Sequence, residues 1–162
     1  MANDDFDELS SPACFAHEAS DAYMGFASKD ELIAVLNELL EAERAGARVT
    51  SETSARIGDV AMRALVREIE ADEARWCAML NAAVQGLGGT PSRATGAFFD
   101  KAMAIKDIGE RLSFLNRGQG WVVRKLNELL PRVRNARLGA ALREMLVSHE
   151  ANIAKVEQRT DG

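Results

Sequence analysis

Histidine and cysteine are scarce in this chain of 162 residues, with two of each: His17 and His149, Cys14 and Cys77. A four-cysteine zinc module is therefore excluded. A module of two cysteines and two histidines would need all four residues, and their spacing does not match one. Prolines number three and aromatics make up 6%, which argues against a turn-rich, β-branched sandwich. No apolar run approaches the roughly 18 residues of a membrane span. The start, Met1-Ala2-Asn3-Asp4-Asp5, lacks the basic and apolar regions of a signal peptide. These absences predict no membrane partner and a cytoplasmic location, where thiols stay reduced. An excess of positive charge is also missing. The net charge is −5, which argues against nucleic acid as a partner. The local basic stretch of Arg117, Arg124, Lys125, Arg132, Arg134 and Arg137 does not reverse that balance.

What is present favours helices. Apolar residues make up 47% and charged residues 28%, an ordinary globular balance for one domain. Residues 1–27 read as an irregular arm that starts acidic, and its aromatic half (Phe15, Tyr23, Met24, Phe26) is expected to dock on the body or on a second subunit. Residues 28–158 read as four long helices, and 159–162 as a frayed tail. Ser28-Lys29-Asp30-Glu31 is a capping box that starts the first helix, and Asp107-Ile108-Gly109-Glu110 resembles a second one starting the third. Gly58 turns the chain into the second helix, which begins at Asp59 and closes at Gly88-Gly89. Gly86 to Thr95 reads as loop, followed by a short helix at 98–105. The fourth helix follows Arg134-Asn135. Each long helix spans about 33–45 Å at 1.5 Å per residue. Two tight hairpins joined by one long crossover predict an all-α, ferritin-like four-helix bundle.

The apolar stripes carry the functional signal. They run Leu32, Leu36, Leu39 and Gly46 on the first helix, and Met62, Val66, Ile69, Trp76, Leu80, Val84 and Leu87 on the second. The third reads Ile108, Leu112, Leu115, Val122, Leu126, Leu129 and Val133, and the fourth Leu138, Leu142, Met145, Ile153 and Val156. Each is interrupted once near mid-helix, by Glu43, Glu73, Gln119 and His149 respectively. Mid-helix positions of a bundle share one layer. The pattern therefore brings two carboxylates, an amide and an imidazole together in an apolar core. Burying a carboxylate alone costs several kcal/mol, on the order of a lost ion pair, so these groups need partners.

The arrangement resembles the ferritin/rubrerythrin superfamily of di-iron carboxylate proteins over residues 29–158. That family places a Glu on each of two helices and Glu-x-x-His on the other two. Glu43 in LEAER matches the first-helix Glu, Glu73 begins the second-helix motif, and His149 in MLVSHE takes the fourth-helix His position. The strings DEARWCAML, FLNRGQGWVVRKL and MLVSHEANI resemble a bacterial ferritin-like family with no assigned function. Three positions depart from the pattern: Trp76 replaces a His, Leu146 a Glu, and Gln119 a Glu. The resemblance thus implies one iron or manganese ion, or a degenerate pair, held by Glu43, Glu73, His149 and Gln119. Asp72 and Glu150 are further candidate ligands, with Trp76 and Arg117 nearby. Any enzyme built on such a site would be a metal-dependent oxidoreductase acting on a small molecule.

A second reading keeps the fold and drops the metal. Arg44, Arg75 or Arg117 then pairs with the carboxylates, and the bundle serves as a dimeric interaction module. Other features also read two ways. Gly118 and Gly120 either open space for a ligand beside Gln119 or allow close packing. Arg117, Trp121 and Arg124 form either a homodimer seam or a solvated face. Trp76 reads as core packing and Cys77 as a small buried hydrophobe. Cys14 and His17 carry a C-x-x-H look too weak for a metal role. Glu41, Arg44 and Arg48 read as a solvated row.

Overall fold

The computed structural model describes residues 23–160. Cys14, Phe15, His17 and most of the expected arm lie outside the described residues. Helix α1 spans Lys29–Ser54, α2 Val60–Gly86, α3 Phe98–Ala104, α4 Ile108–Leu129 and α5 Ala136–Thr160, with a 3₁₀ turn at Leu130–Arg132 between the last two. There is no strand among the described residues. Helix α1 packs mainly on α2 and α4 mainly on α5. The α1–α4 and α2–α5 faces close the bundle, and α3 wedges against α1 and α4. This is the expected ferritin-like connectivity, with the crossover between α2 and α4 running along the bundle.

Local chemistry fixes the helix starts. The Ser28 hydroxyl accepts from the Glu31 N–H, Asp59 from Met62 and Asp107 from Glu110. The Glu31 carboxylate, which also accepts from the Ser28 backbone, takes both terminal nitrogens of Arg132, at 2.6 and 2.9 Å. That pair lies beside the Ala27 N–H, which donates to the Arg132 carbonyl at 2.9 Å. The chain is thereby tied to the α4–α5 link just before α1. At the end of the arm, Tyr23 and Met24 are exposed in the single chain, Phe26 is half-buried and Ala27 is buried. Helix α2 ends with Gly88 at a φ of 78°, a conformation that favours glycine.

The stripes are buried largely as expected, in an apolar core that includes Leu36, Leu39, Trp76, Leu80, Leu126, Leu142 and Met145. The α1 stripe continues beyond Gly46. Thr50, Thr53 and Ser54 continue it as buried residues, and the Thr50 hydroxyl lies 2.9 Å from the Gly46 carbonyl, so its polarity is absorbed by its own helix. On α5, Gly139 and Asn152 are buried, whereas Leu138 and Ile153 are only partly covered. Arg111, 1% exposed, is a buried cation the stripes did not reveal. Its guanidinium donates twice to the Ile105 carbonyl, at 3.0 and 2.6 Å, and to Thr53 at 3.4 Å.

Candidate functional site

Glu43 on α1, Glu73 on α2, Gln119 on α4 and His149 on α5 are all buried, at 1, 4, 3 and 2% exposure. All four line one cavity of about 550 Å³. Helical period puts each at mid-helix on the core-facing stripe, so the four helices deliver the layer together. The cavity reaches outward between α1, α4 and the crossover, past Glu38, Glu41, Thr95, Phe114 and Trp121.

His149 and Glu43 form the centre. Imidazole Nε2 lies 3.0 Å from Glu43 Oε1, and Nδ1 lies 3.0 Å from the Met145 carbonyl. That carbonyl can only accept, so Nδ1 carries a proton and donates it. Nε2 and Oε1 then share one further proton. Burial raises the Glu43 carboxyl above its ordinary range, offset in part by His149. Burial opposes the His149 imidazolium, but Glu43 and its hydrogen bond outweigh it and hold His149 above its usual value. Both shifts run toward the protonated form of the pair.

Glu73 stands apart from this pair. Its carboxyl lies against the Gly46 backbone, where a Cβ would come within 2.7 Å of Cδ. Its Oε2 is 3.4 Å from the Thr50 hydroxyl. Thr50 has one proton and two helix carbonyls at 2.9 and 3.0 Å to receive it. A protonated Glu73 can donate to the Thr50 oxygen in turn. Burial and then the Glu43 charge push Glu73 well above the usual carboxylate range, which favours that neutral acid.

The remaining candidates separate cleanly. Asp72 accepts from Asn152 at 3.0 Å and from Ser148 at 3.2 Å, and Ser148 accepts from the Trp76 indole at 3.3 Å. Asp72 is thus committed to a polar chain between α2 and α5, and Asn152 is the member that sequence reasoning missed. Glu150 is exposed and does not line the cavity. Arg117 lies at the cavity wall, its guanidinium 5.4 Å from the Phe114 ring centre. Two of the arginines expected beside the carboxylates of a metal-free layer are engaged elsewhere. Arg44 donates to the Ala94 carbonyl, Arg75 pairs with Glu144 over the Trp76 ring, and neither holds Glu43 or Glu73. The α1 row expected to be solvated instead secures the crossover: Asn37 bonds Thr90 and Ser92, Glu41 bonds Ser92, Arg44 bonds Ala94, and Arg48 covers Phe99. Gly118 serves close packing, since a Cβ there would lie 2.6 Å from the Phe98 ring. Cys77 has its thiol pushed up to about 11 by burial and by Glu43, in keeping with an inert small side chain.

Residues 30–158 match the family of a domain of unknown function, DUF6306. The chain belongs to that family. No curated protein matches it. Among solved structures, a crystal structure described as ferritin-like, diiron-carboxylate proteins from Bacillus anthracis str. Ames is similar. The TM-score is 0.72 at 17% identity, over 82% of this chain and 96% of that one. At that identity the likeness shows the ferritin-like fold of the DUF6306 chain and nothing of its chemistry.

The residues of this DUF6306 chain do not fit two irons. Trp76 fills the place of one His and is bonded to Ser148; Leu146 packs on the apolar core; Gln119 supplies an amide. Among the described residues no three His, Cys, Asp or Glu side chains converge as metal ligands. One ion is a different case. Glu43 Oε2 and both amide atoms of Gln119 are buried without a hydrogen-bond partner. Donors that share one ion at about 2.1 Å lie about 3 Å apart when adjacent, the separation of Glu43 and His149. The set therefore fits a single ion held by two ionisable donors and an amide.

Proposed function

We propose that the cavity takes one divalent cation, iron or manganese, held by Glu43 and His149 with the Gln119 amide oxygen and, on turning from Thr50, Glu73. The observation that supports this reading is the partnerless trio of Glu43 Oε2, Gln119 Oε1 and Gln119 Nε2 around the Glu43–His149 pair. A buried polar atom left unpaired costs about 1–3 kcal/mol, so three of them in one cavity argue for a missing partner. Such an ion would supply redox chemistry and open coordination positions to a small molecule. The protein's own residues would bind and orient. Met145 fixes the His149 ring through Nδ1, Gly46 gives Glu73 room, and the crossover lines the mouth on the α1–α4 side. Under this reading an activity of the chain is metal-dependent oxidation of a small molecule. A homodimer is proposed with it, using the α4 face around Trp121 and Arg124, and sedimentation of the purified chain tests that part.

The second reading is a metal-free ferritin-like bundle serving as an interaction module. It is favoured by the proton shared between Glu43 and His149, which neutralises the pair without an ion. Metal content after purification without chelator discriminates the two. The first predicts near one equivalent per chain, lost in Glu43→Ala and in His149→Ala. Substoichiometric metal unchanged by either substitution would leave the second standing.

A further inference from the structure

An ion does not account for the size of the cavity. A water's share of liquid volume is about 30 Å³, so an ion and its waters fill a minor part of about 550 Å³. The rest is walled by Ala42, Phe98, Phe114, Leu115, Trp121 and Val122. Phe98 and Phe114 stack on each other, ring centres 4.8 Å apart, and present flat apolar surface. The charges at the rim are already engaged. Glu38 pairs with Lys125 at 2.8 Å, Glu41 accepts from Ser92, and Arg117 sits over Phe114. Four buried side-chain atoms among the described residues lack partners, and three of them, on Glu43 and Gln119, belong to this cavity.

From this the geometry points to a specific ligand class: a flat, apolar small molecule with a neutral head group that both donates and accepts, as a primary carboxamide does. The inference rests on the reading of this cavity as the working site, and goes beyond it in naming what fills the space an ion leaves. The head group's carbonyl accepts from Gln119 Nε2 and, in the ion-free chain, its N–H groups donate to Gln119 Oε1 and Glu43 Oε2. With an ion bound, the Gln119 N–H still requires the acceptor. A carboxylate head is disfavoured because it has no N–H to give to Gln119 Oε1 and Glu43 Oε2. The aromatic walls take the body by stacking and burial.

Trp121 supplies the probe, because it lines the cavity while Trp76, the other tryptophan, is buried outside its lining. Benzamide and benzoate are titrated against the full chain, chelator-treated and again after loading with manganese, with tryptophan emission read. Benzamide is expected to give a saturable change in both forms and benzoate to bind at least about tenfold more weakly. Gln119→Leu is expected to weaken benzamide about tenfold, the loss of a buried hydrogen-bonded partner. Ala42→Phe, which fills the cavity, is expected to abolish the response. Thr95→Phe, placed at the half-exposed rim, narrows the mouth without adding a tryptophan and is expected to slow association should Ala42→Phe fail to fold. No saturable change with benzamide, equal binding of benzoate, full binding by a folded Ala42→Phe, or unslowed association in the Thr95 variant would overturn the inference. Benzamide binding by a chain that takes up no metal would overturn the ion reading alone. Metal uptake without benzamide binding would overturn this inference alone.

Discussion

Glu73 is a carboxyl group held 4% exposed against a glycine backbone, with Thr50 as its nearest hydroxyl. Its pKa is raised in the folded chain by burial and by Glu43. The folded state then holds this proton more tightly than the unfolded state. The stabilisation is complete below the ordinary value near 4.5 and is lost as pH rises through the raised one, by up to about 1.4 kcal/mol per pH unit for one proton. In chelator-treated protein, Glu73→Gln is therefore expected to raise the melting temperature, with an advantage that widens from pH 5 to pH 8. An advantage constant with pH would show that Glu73 is not held neutral. His149 acts in the same direction, since its raised pKa also makes its contribution fade as pH rises. Gly46 tests the same contact from the other side. Gly46→Ala is expected to destabilise the chain by about 1–3 kcal/mol through overpacking, and Glu73→Ala is expected to relieve most of that cost. Additive melting shifts in the double variant would place the clash elsewhere.

At the scale of elements, α1 serves two tasks on two faces. Its core face carries Glu43 and Gly46. An adjoining face carries Asn37, Glu41 and Arg44, spaced four and three residues apart, and these hold the crossover from Thr90 to Ala94. The crossover in turn supplies Thr95, Gly96 and Ala97 to the cavity wall. Asn37→Ala combined with Ser92→Ala is expected to speed amide exchange across residues 90–97 while leaving the α2 and α5 cores protected. Equal acceleration in all helices would mean that the crossover is structural to the whole bundle. The helix starts were legible in the sequence because Ser28, Asp59 and Asp107 cap locally. The buried threonines of α1 were not, since their hydroxyls bond backward to their own helix and only tertiary packing decides that they face inward. The Asn37–Glu41–Arg44 row was illegible for a related reason. Its partners are loop carbonyls, hydroxyls and amides about fifty residues away, and a polar row reads the same whether it meets solvent or a loop.

At the scale of the whole molecule, four helices deliver one polar residue each to a single cavity in an otherwise apolar bundle. That layer was legible because Glu43, Glu73, Gln119 and His149 each break an otherwise regular stripe. The fine geometry was not. Periodicity cannot show that Glu73 turns to Thr50 while Glu43 turns to His149, nor that Asp72 is consumed by Ser148 and Asn152. Those choices are set by the close approach of α1 and α2 at Gly46 and by the polar chain between α2 and α5. The loss of the second His position is likewise a matter of volume, because Trp76 occupies it as a buried, hydrogen-bonded core residue. The central claim is a single cation at the Glu43–His149 pair. Anomalous diffraction at the iron and manganese edges, from crystals grown without chelator, tests it most directly. The account predicts one peak per chain in the cavity, within about 2.0–2.4 Å of donors on both Glu43 and His149. A cavity with no peak and the 3.0 Å Glu43–His149 hydrogen bond intact would contradict it.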